Sequence, residues 1–106
     1  WASWCRPCRA ENPNVVKAYN EFKDKGFTVY SVSLDANASS WQAAIEADGL
    51  VWPYHVSSLK QWNCPAAKDY RVRGIPYSIL IDKDGKIIAM SLRGEELINK
   101  LSEVLK

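Results

Sequence analysis

Apolar and polar positions change period several times along the chain, and each change marks an element. From Pro7 to Lys25, Val15, Val16, Tyr19 and Phe22 recur at helical spacing, Pro7 suits a first turn and Gly26 closes the run, so a helix is predicted over 7–25. Pro13 lies inside it, removes one backbone donor and is expected to kink it. Phe27-Thr28-Val29-Tyr30-Ser31-Val32-Ser33-Leu34 is β-branched and aromatic, with apolar residues on both alternations. It reads as a central strand covered on both faces.

Asp35 to Ser40 supplies turn and cap residues, after which Trp41, Ala44 and Ile45 predict a short helix ended by Gly49. A short strand is placed at Tyr54-His55-Val56, within the stretch 50–59. Asn63-Cys64-Pro65 reads as a cap with a first-turn proline, opening about two helical turns through Tyr70. Tyr77-Ser78-Ile79-Leu80-Ile81 carries a strand signal, Asp82-Lys83-Asp84-Gly85 a hairpin turn, and Lys86 to Met90 the antiparallel return. Leu97, Ile98, Leu101, Val104 and Leu105 form one stripe of a final helix over 95–106, with Glu95 and Glu96 in its first turn and Lys106 at its end, as the macrodipole favours. Helix, strand, helix, short strand, helix, hairpin, helix is the order of an α/β domain: a mixed sheet with helices on both faces.

Composition narrows the function more than the fold. At 106 residues and 47% hydrophobic, with ten Trp and Tyr against two Phe, the chain is one small domain that can bury a core without staples. Its net charge is +2 and its 14 basic residues are scattered, which speaks against nucleic acid and anionic membrane as partners. No apolar run reaches membrane-spanning length, and no charged-then-apolar leader is present. Because the sequence opens on Trp1, the expectation is the C-terminal part of a longer protein whose targeting information lies elsewhere.

The candidate chemistry lies in the first turn, Trp4-Cys5-Arg6-Pro7-Cys8. A helix start leaves unpaired N–H groups and the positive end of the macrodipole, and a thiolate gains from both, so Cys5 is expected to titrate well below a free cysteine. Cys8, one turn further in, is within reach but shielded by the helix. That asymmetry suggests one attacking and one resolving thiol. Three cysteines argue against an all-structural disulfide framework and fit one reactive pair plus the spare Cys64, read as a buried, inert thiol. Cys5, Cys8, His55 and Cys64 are four possible zinc ligands, at spacings that match no compact zinc module. Arg9 in place of histidine excludes c-type haem attachment. His55 reads as a partly exposed residue, and Trp41, Trp52, Tyr54 and Trp62 as an aromatic cluster of the core.

Trp4-Cys5-Arg6-Pro7-Cys8 with Pro13 five residues on, then Gly74-Ile75-Pro76 before an apolar strand and a Lys-Asp-Gly hairpin, resembles the thioredoxin superfamily. More narrowly the chain is similar to the membrane-anchored or secreted bacterial TlpA and ResA-like thiol-disulfide oxidoreductases. Cys8 and Pro76 stand 68 residues apart, residues 36–60 look like the helix-and-strand insertion of that group, and Glu11 matches its acidic residue near the thiols. The resemblance implies a thioredoxin-like fold in which Cys5 attacks, Cys8 resolves and Pro76 is a cis proline that turns the backbone of Ile75 toward the cysteines. There a substrate strand would pair, bordered by Ala2, Trp4, Arg6 and Pro7. On residue type alone Glu11 is equally a solvated first-turn acid; the resemblance gives it a part in raising a thiol's pKa or accepting its proton. The apolar strand that leads into the cysteine turn in that family is missing here. The sheet is therefore expected to have a gap beside the cysteines, left by cropping or completed by a partner copy.

The implied function is thiol-disulfide exchange with protein disulfides and dithiols, as a reductant in the cell envelope or periplasm, recharged by an upstream thiol reductant. It needs no cofactor and no metal, and meets a membrane only through an N-terminal anchor outside this chain. The alternative is a redox-inert or zinc-binding interaction module of a larger envelope protein. A peroxidase reading is weaker, because the spacing of a single peroxidatic cysteine with nearby Thr and Arg is absent.

Overall fold

The computed structural model describes residues 1–105. The long first helix, α1, spans Arg6–Phe22, passes through Pro13 without a break and ends in a single 3-10 turn, Lys23–Lys25. Gly26 closes it at φ 96°, a conformation that a Cβ disfavours. The remaining elements are β1 (Tyr30–Ser33), α2 (Ala38–Ala47), β2 (Tyr54–Ser57), the short α3 (Pro65–Asp69), β3 (Ile79–Ile81), β4 (Ile87–Met90) and α4 (Glu95–Val104). This is the predicted order. Asn37 caps α2 by accepting a hydrogen bond from Ser40 N at 3.0 Å, and Gly85 takes φ 85° in the β3–β4 turn. The expected helix end at Lys106 lies outside the described residues.

The sheet differs from the expected one. β1 pairs in parallel with β2 (Tyr30 opposite Tyr54, Ser33 opposite Ser57), and β3 pairs antiparallel with β4 (Ile79 opposite Met90), but the two pairs are not hydrogen-bonded to each other. On the side of β1 away from β2, Trp1 N donates to Val32 O at 3.2 Å and Leu34 N donates to Trp1 O at 2.8 Å, a single step of a parallel ladder. Beyond it a cavity of about 1320 Å³ separates the pairs, lined by Val32, Leu34, Leu80, Ile88, Leu101 and Cys8. The gap expected beside the cysteines is therefore there. For the same reason β1 is neither central nor covered on both faces: it starts only at Tyr30, which is 64% exposed.

Other expectations need correction. α3 is five residues long, and its N-cap is Cys64 rather than Asn63, which sits in a 3-10 turn over Gln61–Asn63. Among the four aromatics assigned to the core, Trp52 is buried, but Tyr54 and Trp62 are 49% and 42% exposed. Tyr54 instead stacks on Tyr30 across the β1–β2 pair, with ring centres 6.3 Å apart.

Two apolar clusters hold α1 in place. Near its C-terminal end, Ala18 and Phe22 pack with Leu101 of α4, supported by Phe27, Leu80, Leu97 and Ile98. At its N-terminal end, Cys5 and Cys8 belong to a cluster with Ala2, Leu34, Cys64 and Ala67, flanked by Val72 and Ile75. In the C-terminal half of α1, Tyr19 meets Trp52 edge-on at 5.5 Å. The cysteine turn is thus packed from below rather than carried on a loose terminus.

Candidate active site

Cys5 is the N-cap of α1, and its sulfur accepts the Cys8 N–H at 3.2 Å. The two residues are joined in a disulfide with their Cα atoms 5.2 Å apart. Both are buried, Cys5 at 5% exposure and Cys8 at 2%, so accessibility separates them only slightly; position in the helix separates them more. Cys5 lies where the first N–H groups converge, while Cys8 is inside the first turn.

The turn that carries the pair is held by two carboxylates. Cys5 N donates to Ala2 O at 3.0 Å, which closes the turn over Ser3 and Trp4. Asp35, just past β1 and 1% exposed, accepts the Ser3 N–H at 3.1 Å on each oxygen, as well as the hydroxyls of Ser3 and Ser33. From the other side Arg9 Nη1 donates to Ser3 O at 3.1 Å. Arg9 in turn grips Asp48, the C-cap of α2, through Nε at 2.6 Å and Nη2 at 2.8 Å, and Asn12 Nδ2 adds a third bond to Asp48 at 2.9 Å.

These contacts set the charge states of the pair. Its bond to Asp48 raises the Arg9 pKa. Burial by itself would raise that of Asp48, but the hydrogen bonds from Arg9 and Asn12 and the Arg9 charge outweigh it, and the net direction is down. A lowered carboxylate pKa contributes stability that is complete at neutral pH and is lost as pH falls through the lowered value, below the usual carboxylate range.

The other candidates are placed as follows. The Ile75–Pro76 peptide bond is cis, and Ile75 packs against the cluster that contains both cysteines. Arg93 Nη2 donates to Pro76 O at 3.4 Å. Trp4 is 53% exposed, and Arg6 and Pro7 are exposed beside the disulfide. Ala2 is fully buried and so forms the floor of the turn rather than the border of a groove. Cys64 is a free, buried thiol in the same cluster. His55 is half-buried, stacked on Trp52 at 5.7 Å with Nε2 3.0 Å from Leu50 O, and the described residues hold no group of three or more His, Cys, Asp or Glu side chains placed to share a metal.

Glu11 stands one turn after Cys8 and is half-buried. Its Oε2 accepts the Gly94 N–H at 2.9 Å and its Oε1 accepts Asn14 Nδ2 at 2.9 Å. Gly94 is the N-cap of α4, has no side chain to cap with, and takes φ 56°. Glu11, on a different helix, satisfies the backbone donor of that N-cap residue. Glu11→Ala is expected to cost about 1–2 kcal/mol in urea denaturation and to speed hydrogen exchange at the start of α4. Unchanged protection there would remove the capping role.

Sequence reasoning missed Ser3, Arg9, Asp35 and Asp48. Arg9 directly follows the second cysteine, and Asp35 directly follows a strand rather than opening the helical cap. Nothing in the local pattern distinguishes Asp48 from any helix-ending acid.

Comparison with known proteins agrees with this geometry. The profile of the Redoxin family matches residues 1–105. The thioredoxin domain of a thiol-disulfide oxidoreductase from Bacteroides vulgatus superposes with a TM-score of 0.91 at 40% identity, over 100% of this chain and 75% of that one. A thiol-disulfide oxidoreductase from Bacteroides fragilis gives 0.90 at 36% identity, over 99% and 77%. Thiol-disulfide oxidoreductase ResA from Bacillus thuringiensis subsp. konkukian is 31% identical over 106 residues, all of this chain and 58% of that protein's length. With its Cys-X-X-Cys disulfide at the start of α1, the chain belongs to the Redoxin family and has the thioredoxin-like fold of its thiol-disulfide oxidoreductases.

Proposed function

We propose that the chain exchanges its Cys5–Cys8 disulfide with the disulfides and dithiols of partner proteins, acting as a reductant in the cell envelope. The observation that carries this reading is the cysteine pair at a helix N-cap, where the Cys8 N–H already meets the Cys5 sulfur. In the reduced protein the Cys5 thiolate attacks one sulfur of a partner disulfide, forms a mixed disulfide and expels the other sulfur as a thiolate. Cys8 then gives up its proton and attacks the Cys5 sulfur. The partner leaves with two electrons and as a dithiol, and the Cys5–Cys8 disulfide remains. An upstream thiol reductant returns the pair to the dithiol.

Trp4, Arg6 and Pro7 on one side and Ile75–Pro76 on the other are the surfaces that would border an incoming strand, with the Ile75 backbone available to pair with it. Glu11, which lines the same cavity as Cys8, is assigned a part in handling the thiol proton besides its bond to Gly94. The envelope location rests on the resemblance to TlpA and ResA-like proteins; no helix among the described residues is long and apolar enough to cross a membrane. The direct test is insulin reduction under dithiothreitol. The chain is expected to speed precipitation above dithiothreitol alone, and failure of a fully reduced sample to do so would overturn the reading.

A further inference from the structure

The residues around the cysteine turn divide by how their charges are spent. Asp35 is enclosed and committed to Ser3 and Ser33, and Glu11 is committed to Asn14 and Gly94. Arg6 is exposed to solvent. Arg9 differs from all of them. Its backbone N–H bonds to Cys5 O at 3.0 Å, one helical turn from the sulfur, and its guanidinium reaches back over the turn to Ser3 O. The charge placed there is partly enclosed, with side-chain exposures of 35% for Arg9 and 15% for Asp48, so water screens it incompletely.

We propose that Asp48, at the end of α2 and far along the chain from the cysteines, is a positioning residue that fixes Arg9 against the cysteine turn and tempers its charge, thereby setting how readily the Cys5–Cys8 disulfide is reduced. The inference deepens the exchange function proposed above and rests on it. Reduction by two glutathione thiols yields the Cys5–Cys8 dithiol and one glutathione disulfide, a two-electron transfer in which a neutral disulfide becomes a pair that carries a thiolate at Cys5. A positive charge nearby favours that product and a negative one opposes it. In the native chain the two nearly cancel, because both Asp48 oxygens lie on Arg9.

The two partners therefore make opposite predictions. In Asp48→Asn, Arg9 is left unneutralised, the thiolate is favoured, and the glutathione equilibrium should move toward the dithiol. In Arg9→Gln, Asp48 is left uncompensated and the equilibrium should move toward the disulfide. Each shift is expected to be roughly fivefold, the size of one partly screened charge held against the cysteine turn. The double variant Arg9→Gln with Asp48→Asn should return toward the native value, and Arg9→Lys, which keeps the charge without the fork, should stay near it.

The experiment equilibrates each variant in glutathione buffers and counts trapped thiols by mass spectrometry, with thiolate absorbance near 240 nm followed against pH as a second readout. Opposite directions in the two single variants support the proposal. Movement in the same direction, or lowered thermal stability with no movement, reduces the pair to a purely structural brace and overturns it. If Arg9→Gln does not fold, Asp48→Asn still gives the sign, and Arg9→Lys still shows whether the charge without the fork keeps the native value. If the native chain fails to exchange with glutathione at all, the exchange function falls instead, while the Cys5 titration still reports on the Arg9–Asp48 pair.

Discussion

Cys5→Ser is expected to bring disulfide exchange down to the rate of the chemical reductant alone, whereas Cys8→Ser should keep the first step and stall after it. The contrast follows from position rather than exposure, since both cysteines are nearly enclosed. Cys5 caps α1 and its sulfur receives an N–H from the helix it opens, which favours the anion that attacks. Cys8 lies inside the first turn, with its sulfur directed at Cys5, and is suited to displacing a partner already attached there. In the Cys8→Ser protein that displacement is impossible, so a one-to-one covalent complex should accumulate. It should be visible as a mass increase equal to the partner and be released by excess dithiothreitol. Insulin reduction by Cys5→Ser at the native rate, or capture of partners by Cys5→Ser rather than Cys8→Ser, would reverse the two roles.

The parts of the molecule that could be read from the sequence were those governed by neighbours in the chain. The stripe of Leu97, Ile98 and Leu101 and the turn ending at Gly85 each depend on spacing within a few residues, and each stands where the sequence places it, while the cap of α2, placed by the sequence only within 35–40, is Asn37. β1 departs from the expectation because an apolar alternation reports what a strand would prefer to touch, and not whether strands lie on both sides of it. β2 flanks it on one side, no full strand flanks it on the other, and Tyr30 at its start is mostly in water. Cys5 and Cys8 were legible because a short motif carries its own mechanism. Their supports were not: Asp35 is 32 residues from Ser3, and Asp48 is 39 from Arg9. An acid after a strand and an acid before a glycine look the same whether they end in solvent or on the cysteine turn. The site's chemistry is thus local in the chain, and its rigidity is not.

That rigidity leads to the second large expected effect. Asp35→Ala should destabilise the fold by about 2–4 kcal/mol, because it strands the Ser3 N–H and the hydroxyls of Ser3 and Ser33 at a position only 1% exposed. Asp35→Asn should cost less but remain unfavourable, since an amide offers one acceptor where the carboxylate offers two and turns an N–H₂ group toward a donor. Ser3→Ala, which removes the hydroxyl but keeps the backbone donor satisfied, should cost only about 1 kcal/mol. Urea denaturation of the three variants gives this order directly. The same substitutions should also slow exchange in proportion to how far they free the turn, because the Ala2–Cys5 turn carries Cys5, the sulfur proposed to attack. If Asp35→Ala melts within about half a kcal/mol of the native chain, the carboxylate is not what holds the turn. The rigidity of the site would then have to come from the packing of Ala2 and Leu34 beneath it.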